Sequence, residues 1–599
     1  MSVLPRIRSA AALSHPYIDT PDFSYDGWLA HLQQRSLPVG SVTGAPRVAI
    51  VGAGASGACA AFELARAGCE VTVFDAGDRI GGRCASTPFP DGGPDLAELG
   101  AMRFPPSEFT LDFYLRRFGL VGRDGIAGLP DFPDPGVVRT YVCYGGDVSI
   151  WQAADGHPPP GFETVYNGWL AFNRDGITRS AAGGAPVTVF RSPAAITAAL
   201  AAGDVASATR WWQEYIDAFG QTSFYSFLYA LFTGTGGYDI PGGTPWSFDD
   251  FDRFGALGIG SGGFGPLYPI AFTDIFRLLP NGLESAQKFL RAGIRTLPEA
   301  FAREIGSRCR WMLRTPVDAI ERGADGRFRL KSGATSHDGF DRVVMATTTR
   351  AMEMTTNLTE SPLVARDVAR AIRRTHVVSS VKVAARIRRF WNPADPADPT
   401  VRCLLSDDAL HQVYTLDYGA PDSGVCFLSY TWDDDAVKQQ ALGVDRPGGA
   451  VDKKVLYEAL LGMLADAGGE VARWAEHLRP YGDPERDILF VEWQSNPHFN
   501  GAFKLTEPGQ DEYIRTMFYD FQKAGDPARD TGLYLAGDCI AWTSGWVEGA
   551  LQTALNACAG VVRSLGGTLN GDAAGRTPLD LDADRFDYFG GVHRSGTDG

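Results

Sequence analysis

The sequence lacks the residue spacings that usually bind metals or form a disulfide framework. Its nine cysteines are scattered without a C-x-x-C pair, and its nine histidines show neither H-x-H nor H-E-x-x-H spacing. We therefore predict no structural or catalytic metal. Scattered cysteines are typical of reduced thiols, which predicts a cytoplasmic protein rather than a disulfide-bonded one.

The sequence also lacks a surplus of basic residues and an uninterrupted apolar run. Its net charge is −16, so it has too few cations to displace phosphate counterions, and we predict no nucleic-acid partner. The run 48–65 is interrupted by glycines and by Glu63, and no other segment is long enough to cross a bilayer. Pro5 and Pro16 break up the N-terminus, which has no apolar signal core. These features predict no membrane association.

What the sequence does contain is a glycine pattern of the dinucleotide-binding kind. Residues 48–51 form a short apolar run that is typical of a buried parallel strand. Gly52, Gly54 and Gly57 follow it in G-x-G-x-x-G spacing. The first glycine permits a tight turn, the second lets the backbone approach a pyrophosphate, and the third lets the next helix pack closely on the strand.

The helix, strand and acid that complete a dinucleotide-binding unit follow in order. An Ala- and Leu-rich helix is predicted over 56–67, and Gly68 closes it. The N–H groups and the dipole at the start of this helix favour a diphosphate. A second strand, 70–74, ends at Asp75, whose carboxylate is placed to accept hydrogen bonds from ribose hydroxyls.

A second G-x-G-x-x-G match lacks this context. Gly258, Gly260 and Gly263 follow FDRFGAL, which is not a strand signature, and no strand and acid come after them. Because the spacing alone is weak evidence, we interpret this copy as a turn or a cavity wall.

Two further segments favour FAD over NAD as the cofactor. Gly81 and Gly82 bring another backbone segment near the cofactor, and Arg83 can meet phosphate. Residues 98–104 then read ELGAMRF. With these motifs the sequence resembles the flavin amine oxidase superfamily, and within it the bacterial tryptophan 2-monooxygenases and their lysine and phenylalanine relatives. The resemblance covers most of residues 45–565, with matching segments at 132–138, 222–234, 254–264, 428–436, 500–505 and 545–557.

This resemblance implies which residues hold a non-covalently bound FAD. Asp75 departs from the family, which usually has Glu there, although the shorter carboxylate should still reach the ribose. The backbone at Val317 is expected on the adenine side. The helix that starts at Trp546 should point its positive end at the flavin's pyrimidine ring. The full implied set is Gly52, Gly54, Ala55, Ser56, Gly57, Asp75, Ala76, Gly82, Arg83, Met102, Arg103, Val317, Gly537, Asp538, Trp546 and Val547.

The resemblance also implies that Arg103 binds a substrate carboxylate. A guanidinium fork meets a carboxylate bidentately. The alternative is a structural salt bridge with Glu98 or another acid. Tyr414 is the implied second donor to the carboxylate, unless it is one more aromatic of a strand, and Tyr418 is an alternative donor.

Lys382 and a set of aromatic residues complete the implied active site. Lys382 lies among small and apolar residues, where an inward-facing lysine needs a partner. In the family the equivalent lysine holds a water next to flavin N5, and its charge would favour reduced oxygen species. The alternative is a solvated lysine at a strand edge. The implied side-chain pocket consists of Phe264, Trp493, Phe503 and Trp546, whose rings would stack on an indole or phenyl group.

The implied reaction is the FAD-dependent oxidation of an L-amino acid by O2. The first expectation is the oxidative decarboxylation of L-tryptophan to indole-3-acetamide, CO2 and water. An L-amino acid oxidase and a phenylalanine 2-monooxygenase are alternatives, because enclosure of the imino acid decides between an amide and a 2-oxo acid. A non-catalytic flavoprotein is a further alternative, against which the combination of Arg103, Lys382 and Trp546 argues. Relatives suggest a homodimer, on which the sequence is silent.

At 599 residues the chain is too long for a single core. The predicted fold class is α/β, with a Rossmann-like FAD-binding domain and a discontinuous substrate domain of sheet plus helices, of the amine oxidase type. Residues 106–294 are predicted to be mostly helical, with helices within 192–220. Two strands are predicted within 310–333 around Gly323–Gly326, and further strands at 411–419, 425–432 and 487–493. The expected division is an N-terminal arm at 1–45, an FAD-binding domain at 46–110, 295–355 and 526–567, a substrate domain at 111–294 and 356–525, and a loose C-terminal tail at 568–599. The arm is expected to lie on the body, with a cleaved pro-segment as an alternative.

Overall fold

A five-stranded parallel sheet carries the glycine pattern. The computed structural model describes residues 14–90, 93–180, 184–259, 263–395, 398–444, 446 and 449–590. Every pair of neighbours in this sheet runs parallel, as expected for a sheet covered on both faces. In spatial order its strands are Cys309–Met312, Glu70–Phe74, Arg47–Val51, Arg342–Met345 and Leu533–Leu535. The predicted strands at 48–51 and 70–74 are confirmed.

Two long helices pack against each other beside this sheet. Ala55–Ala67 follows the glycine turn and ends at Gly68, whose φ of 104° closes the helix in the left-handed conformation that glycine adopts without strain. Val547–Ser564 packs on it near the end of the chain. Thr296–Ile305 contacts the first of these helices as well. The predicted helices after Gly54 and after Trp546 are confirmed.

A seven-stranded sheet forms the floor of the other part of the molecule. In spatial order its strands are Ile488–Glu492, Ser380–Arg388, Ser423–Trp432, Gln412–Leu416, Cys403–Ser406, Thr140–Tyr144 and Asp147–Trp151. The three strands predicted after residue 411 are confirmed. The hairpin 140–151 is a correction, because residues 106–294 were expected to be mostly helical. Its signal is the Gly145–Gly146 pair at positive φ, which makes a tight hairpin turn between two apolar runs.

Helices line the walls above this floor. The two helices predicted within 192–220 are confirmed as Pro193–Ala201 and Val205–Phe219. They are capped by the side chains of Ser192 and Asp204. The other helices in the described ranges are Phe109–Arg117, which packs on Val547–Ser564, and Glu163–Asp175, Phe224–Phe232, Phe248–Leu257, Phe272–Phe276, Thr349–Met354, Arg366–Arg374, Asp433–Leu442, Lys453–Asp466, Gly469–Ala475, Pro484–Asp487 and Asp511–Phe518.

Smaller sheets accompany the parallel sheet and the seven-stranded sheet. Ala319–Arg322, Phe328–Ser332 and Thr335–Phe340 form a three-stranded antiparallel sheet, which confirms two predicted strands around Gly323–Gly326 and adds a third. The remaining pairs are Ser86–Pro88 with Leu96–Glu98, Ile177–Ser180 with Pro186–Phe190, Val377–Val378 with Phe503–Lys504, and Gly40–Ser41 with Thr568–Leu569. None of the helices in the described ranges is long and apolar enough to cross a membrane.

Both ends of the described chain pack on the body. In the arm the side chains of Tyr17, Phe23 and Trp28 are buried, and the helix Tyr25–Gln34 follows, so the expectation that the arm lies on the body is confirmed for residues 14–45. The C-terminal segment is a correction. The Tyr588 ring stacks on Trp542 at a centroid distance of 5.1 Å. Because its aromatic residues are buried, residues 568–590 are not a loose tail.

We propose that the predicted division into domains follows these two sheets. Every strand of the parallel sheet comes from residues 46–110, 295–355 or 526–567, and every strand of the seven-stranded sheet comes from 111–294 or 356–525. Limited proteolysis checks these boundaries. Cleavage should fall between the two sets of ranges, and the fragments of each set should resist further digestion.

Candidate active site

The turn after the first strand of the glycine pattern is built so that only glycine fits. Gly52 has φ 107°, and a Cβ added to it would lie 2.6 Å from the carbonyl oxygen of Ala346. A Cβ added to Gly57 would overlap the carbonyl oxygen of Gly52, because the helix packs directly on the turn. Gly54 lies against Gly81 through an isolated parallel bridge. The tight turn and the closely packed helix that the spacing predicted are therefore present. Contact of this backbone with a pyrophosphate stays a prediction.

Asp75 stabilises the glycine turn with both of its carboxylate oxygens. Oδ2 accepts a hydrogen bond from the Ala53 N–H at 2.6 Å, and Oδ1 accepts one from the Gly77 N–H at 2.7 Å. The side chain also lines the large cavity described next. Each oxygen keeps a second lone pair, so the contact with a ribose hydroxyl stays a prediction.

A cavity of about 1320 Å³, part of which is open to solvent, runs from the glycine turn to the start of the helix Val547–Ser564. It is formed by the first glycine turn, the segment 81–84, the segment 315–317 and the start of the helix Val547–Ser564. The described residues that were implied for FAD and that line it are Gly52, Gly54, Ala55, Ser56, Asp75, Ala76, Gly82, Arg83, Val317, Asp538, Trp546 and Val547. The other four implied residues, Gly57, Met102, Arg103 and Gly537, are not among the described lining residues.

This cavity fits a flavin dinucleotide. The helix that begins at Ala55 has no side-chain cap, so its first N–H groups are available to a phosphate where the glycine backbone leaves room. The second helix, which begins at Val547, reaches the same cavity at its other end. Two positive helix ends and a glycine cradle match a pyrophosphate at one end and a ring that gains negative charge at the other.

Arg83 is held by an acid rather than left free for phosphate. Its guanidinium forms an ion pair with both carboxylate oxygens of Asp538, with Nη1 at 3.1 Å from Oδ2. Both side chains line the large cavity. The pair therefore joins the segment after the glycine turn to the segment before the last helix, and direct contact of Arg83 with phosphate stays a prediction.

A second cavity of about 760 Å³ adjoins the first. The residues that line both are Gly100, Ala101, Tyr430, Phe503, Gly545, Trp546 and Val547. Beyond this shared wall the second cavity is enclosed by Met102, Arg103, Phe104, Phe264, Leu267, Ile275, Leu278, Glu284, Trp432, Leu505 and Ser544. It is therefore an apolar and aromatic chamber that shares a wall with the larger cavity at the start of the helix Val547–Ser564. This is the arrangement that a substrate pocket beside a cofactor needs.

Arg103 lines this second cavity and is oriented by one acid. Its Nη1 lies 2.9 Å from Oδ1 of Asp134, which is buried. The guanidinium also lies over the Phe132 ring, 5.5 Å from its centroid. Arg103 has a structural salt bridge, with Asp134 rather than Glu98, and it also lines the cavity, so its contact with a substrate carboxylate stays a prediction. The ion pair fixes the guanidinium in position to meet a ligand carboxylate.

Lys382 lies in the wall of the first cavity and is buried, with 2% of its surface exposed. Its Nζ donates to the carbonyl oxygens of Glu98 at 3.1 Å and Gly100 at 2.5 Å. Burial lowers the pKa of Lys382 well below its ordinary value, and the positive charge of Arg103 lowers it further. The inward-facing interpretation is therefore the one the structure has, and the solvated strand-edge alternative is wrong.

Tyr414 is not among the described residues that line either cavity. Its side chain is fully buried next to Arg103, whose guanidinium lies over the Tyr414 ring at 6.0 Å from its centroid, and the ring edge packs against Phe132 at a centroid distance of 5.2 Å. Tyr418 packs against Phe289 and is likewise not among the described residues that line a cavity.

Tyr430 is the tyrosine that lines both cavities, and sequence reasoning missed it. Its ring lies 4.2 Å from Nζ of Lys382. The two residues are direct partners across the antiparallel strands Ser380–Arg388 and Ser423–Trp432. The register of these two strands was the signal that could have found Tyr430, because directly opposite residues share one face of a sheet.

The aromatic residues that were implied for the side-chain pocket are divided between the cavities. Phe264 lines the second cavity, Trp493 lines the first, and Phe503 and Trp546 line both. Trp432 was missed and also lines the second cavity. Of the second glycine pattern, Gly258 ends the helix Phe248–Leu257 and Phe264 supplies the wall, which confirms the interpretation as a turn and cavity wall, while Gly260 lies outside the described residues.

Comparisons with known proteins give consistent results. A family model described as flavin containing amine oxidoreductase matches residues 55–562. A tryptophan 2-monooxygenase of Pantoea agglomerans pv. gypsophilae is 41% identical over 559 residues, which cover 91% of this chain and 92% of that protein. One of Pseudomonas savastanoi is 41% identical over 541 residues, or 88% of this chain and 91% of that protein.

Among solved structures, cyclohexylamine oxidase from Brevibacterium oxydans IH-35A matches with a TM-score of 0.57. The match covers 87% of this chain and 99% of that chain at 18% sequence identity. At this identity the likeness concerns the fold alone, and it confirms the predicted fold class.

Proposed function

Because the chain belongs to the flavin-containing amine oxidoreductase family, we propose that it is an FAD-dependent enzyme that oxidatively decarboxylates L-tryptophan. The products are indole-3-acetamide, CO2 and water. The observation that carries this proposal is Arg103, a fixed cation in an aromatic chamber that opens directly on a glycine-cradled cavity. A bound FAD supplies a two-electron acceptor beside the substrate and passes those electrons to O2.

The amino acid is held by its carboxylate in this proposal. Arg103 presents its guanidinium fork to the carboxylate, and Asp134 keeps the fork from rotating away. Tyr430 takes the role that was expected of Tyr414, because its ring lies at the wall shared by both cavities. The carboxylate is thereby held next to the wall that the two cavities share. Cα then faces the larger cavity, in which the flavin is proposed to bind.

The side chain of the substrate then lies among aromatic residues. Phe264 and Trp432 line only the second cavity, while Phe503 and Trp546 stand where the two cavities meet. Rings at these positions stack on an indole and exclude water from the reacting carbon. Exclusion of water is what keeps an imino acid from being hydrolysed to a 2-oxo acid, and it favours the amide product.

Lys382 is proposed to act next to the flavin. It is the amine in the wall of the larger cavity, and its two carbonyl partners hold it on the side of Tyr430. From there it can hold a water or stabilise negative charge on oxygen in a site with little solvent.

We also propose that FAD is bound without a covalent link. Cys84 lines the large cavity, but burial raises the pKa of its thiol to about 12, so that little nucleophilic thiolate forms near neutral pH. Acid precipitation of the purified protein checks this proposal, since only a non-covalent flavin stays in the supernatant. A homodimer remains a proposal, which light scattering checks.

The reaction itself is tested by product analysis. Purified holoprotein is incubated in air with L-tryptophan labelled at the carboxyl carbon, and the products are identified by mass spectrometry. Indole-3-acetamide together with labelled CO2 supports the proposal. A 2-oxo acid with hydrogen peroxide instead identifies an L-amino acid oxidase, and turnover of L-phenylalanine in preference to L-tryptophan identifies a phenylalanine 2-monooxygenase.

Tyr430 and Tyr414 provide a matched pair of variants. Tyr430→Phe is expected to raise the apparent Kd for L-tryptophan by roughly 10- to 150-fold, because a hydrogen bond to a charged group contributes about 1.5–3 kcal/mol. Tyr414→Phe should leave this Kd within about twofold and lower the Tm instead, because the Tyr414 ring is fully buried against Phe132 and is not among the described residues that line either cavity. The measurement is the concentration dependence of flavin bleaching under nitrogen. A larger effect of Tyr414→Phe on affinity would reverse the assignment.

Lys382→Met removes the buried amine while keeping an apolar stem of similar length. We expect FAD to remain bound and the reaction of the reduced protein with O2 to slow by roughly 100-fold, as for other preorganised polar groups at reacting centres. Lys331→Met, on an exposed hairpin strand, is the control and should leave the rate unchanged. Stopped-flow absorbance checks both, and an unchanged rate in Lys382→Met would remove the lysine from the mechanism.

A further inference from the structure

Glu284 is a carboxylate in the wall of the substrate cavity that the proposed reaction has not yet used. Among the described residues that line this cavity, Arg103 and Glu284 are the two charged side chains. Glu284 lies in the segment that follows the helix Phe272–Phe276 and is half-buried. It has neither a hydrogen bond nor an ion pair with another residue in the described ranges. A half-buried carboxylate in an apolar chamber without a hydrogen-bonding partner is unfavourable unless a ligand supplies one.

The charges around Glu284 show where in the cavity it acts. Its strongest electrostatic partner is Arg103, and it also interacts with Asp134 and Tyr430. Burial raises the pKa of Glu284 to about 7, while the positive charge of Arg103 opposes the rise. Glu284 is therefore near the end of the cavity where the substrate carboxylate binds, and it can exchange a proton near neutral pH.

An amino acid brings an ammonium group to this same end. Its nitrogen is two bonds from its carboxylate carbon, so a carboxylate held by Arg103 places the ammonium a few ångströms away. A buried ammonium is costly unless an anion faces it. Asp134 is already paired with Arg103, and Lys382 already donates to two backbone carbonyl oxygens. Glu284 remains as the acceptor.

We propose that Glu284 receives the α-ammonium of the substrate and accepts one of its protons before the oxidation. This rests on the proposed function, because it assumes that an L-amino acid occupies the cavity. The N–H bond of the ammonium breaks and an O–H bond forms on Glu284, leaving a neutral amine. The nitrogen lone pair can then form the C=N bond as the Cα–H bond breaks, and a bound flavin would accept the hydrogen with both electrons of that bond. Glu284 is thus a catalytic residue that selects zwitterionic substrates.

Two non-reacting ligands separate this role from the others. α-Methyl-L-tryptophan carries carboxylate, ammonium and indole but has no Cα hydrogen, and indole-3-propionate lacks only the ammonium. Binding of each to the holoprotein is measured by calorimetry. Glu284→Gln is expected to weaken the binding of α-methyl-L-tryptophan by at least about 30-fold and to leave that of indole-3-propionate equal or tighter, as for loss of one partner of a buried charge pair. Glu284→Asp should recover part of the lost affinity.

The pH dependence of substrate oxidation provides a second readout. In the wild type the rate of flavin bleaching by L-tryptophan should fall as the pH drops through about 7, because protonated Glu284 cannot accept a proton. This fall should be absent from Glu284→Gln, which should be slow throughout. Glu360→Gln, an exposed glutamate in a short surface helix, is the control and should match the wild type in both experiments.

Other results would overturn the proposal in distinguishable ways. Equal weakening of both ligands by Glu284→Gln would indicate a structural role, and no change in either would remove Glu284 from the site. Selective weakening of indole ligands relative to their phenyl counterparts would identify Glu284 as an acceptor for the indole N–H. A wild-type protein that binds neither ligand would contradict the proposed function itself.

Discussion

Replacing Arg103 by alanine is expected to weaken the binding of L-tryptophan by roughly 30- to 4000-fold while FAD remains bound. The loss of one partner of a buried, hydrogen-bonded charge pair costs about 2–5 kcal/mol, and about 1.4 kcal/mol corresponds to a factor of ten. The flavin should stay because Arg103 is not among the described residues that line the larger cavity. The effect should therefore fall on the substrate and not on the cofactor.

Asp134 complicates this variant and also supplies its control. Asp134 is buried and paired with Arg103, so Arg103→Ala alone leaves an uncompensated buried charge that destabilises the fold. The double variant Arg103→Ala with Asp134→Asn removes both charges and should restore the Tm without restoring affinity. Asp134→Asn alone should keep most of the affinity, since the guanidinium remains.

Ligand choice makes the Arg103 experiment specific. The apparent Kd for L-tryptophan comes from the concentration dependence of flavin bleaching under nitrogen, and that for indole-3-acetamide comes from calorimetry. Indole-3-acetamide has no carboxylate, so its affinity should change by less than about threefold in the double variant. L-Tryptophan affinity equal to that of the wild type would refute the assignment of Arg103.

Gly57→Ala is expected to abolish stable FAD binding. The added Cβ would overlap the carbonyl oxygen of Gly52, so that the helix Ala55–Ala67 must move away from the turn it packs on. Overpacking of this kind costs about 1–3 kcal/mol, and here the displaced groups are the backbone that cradles the pyrophosphate. We expect at least about a tenfold lower flavin-to-protein ratio, together with a lower Tm, because the stabilisation by bound ligand is lost as well.

Gly462→Ala is the matched control for this substitution. Gly462 also lies inside a helix, Lys453–Asp466, but a Cβ added to it meets open space. Alanine there should raise stability by about 0.5–1 kcal/mol and leave the flavin content unchanged, because alanine loses less backbone entropy than glycine in a helix. Absorbance at the flavin maximum and thermal unfolding measure both variants. A Gly57→Ala protein with full flavin content would show that this turn does not hold the cofactor.

The cofactor part of the site could be predicted because it is encoded locally. The strand, the turn with Gly52, the helix and Asp75 lie within 30 residues, and each is specified by its own residue types. The same holds for Arg103, which lies in a motif only a short distance further along the chain. Local patterns of this kind can be recognised in a sequence without knowledge of the tertiary structure.

The substrate part could be predicted only in outline, because distant segments form it. Tyr430 reaches the site through the pairing of two strands almost 50 residues apart, and no motif distinguishes it from Tyr414. Glu284 lies in an irregular segment without a periodic pattern, so its place in the cavity depends entirely on tertiary packing. The packing of the C-terminal segment on Trp542 is likewise a long-range contact that composition does not reveal.

We propose that a flavin faces a chamber in which the fixed cation of Arg103 orients an aromatic amino acid. Rapid mixing of the purified holoprotein with L-tryptophan under nitrogen tests it most directly, with absorbance in the visible range as the readout. We expect the oxidised flavin spectrum to bleach on mixing and to return when air is admitted. A flavin spectrum that stays unchanged at saturating L-tryptophan, or a protein that cannot be loaded with flavin, would contradict the claim.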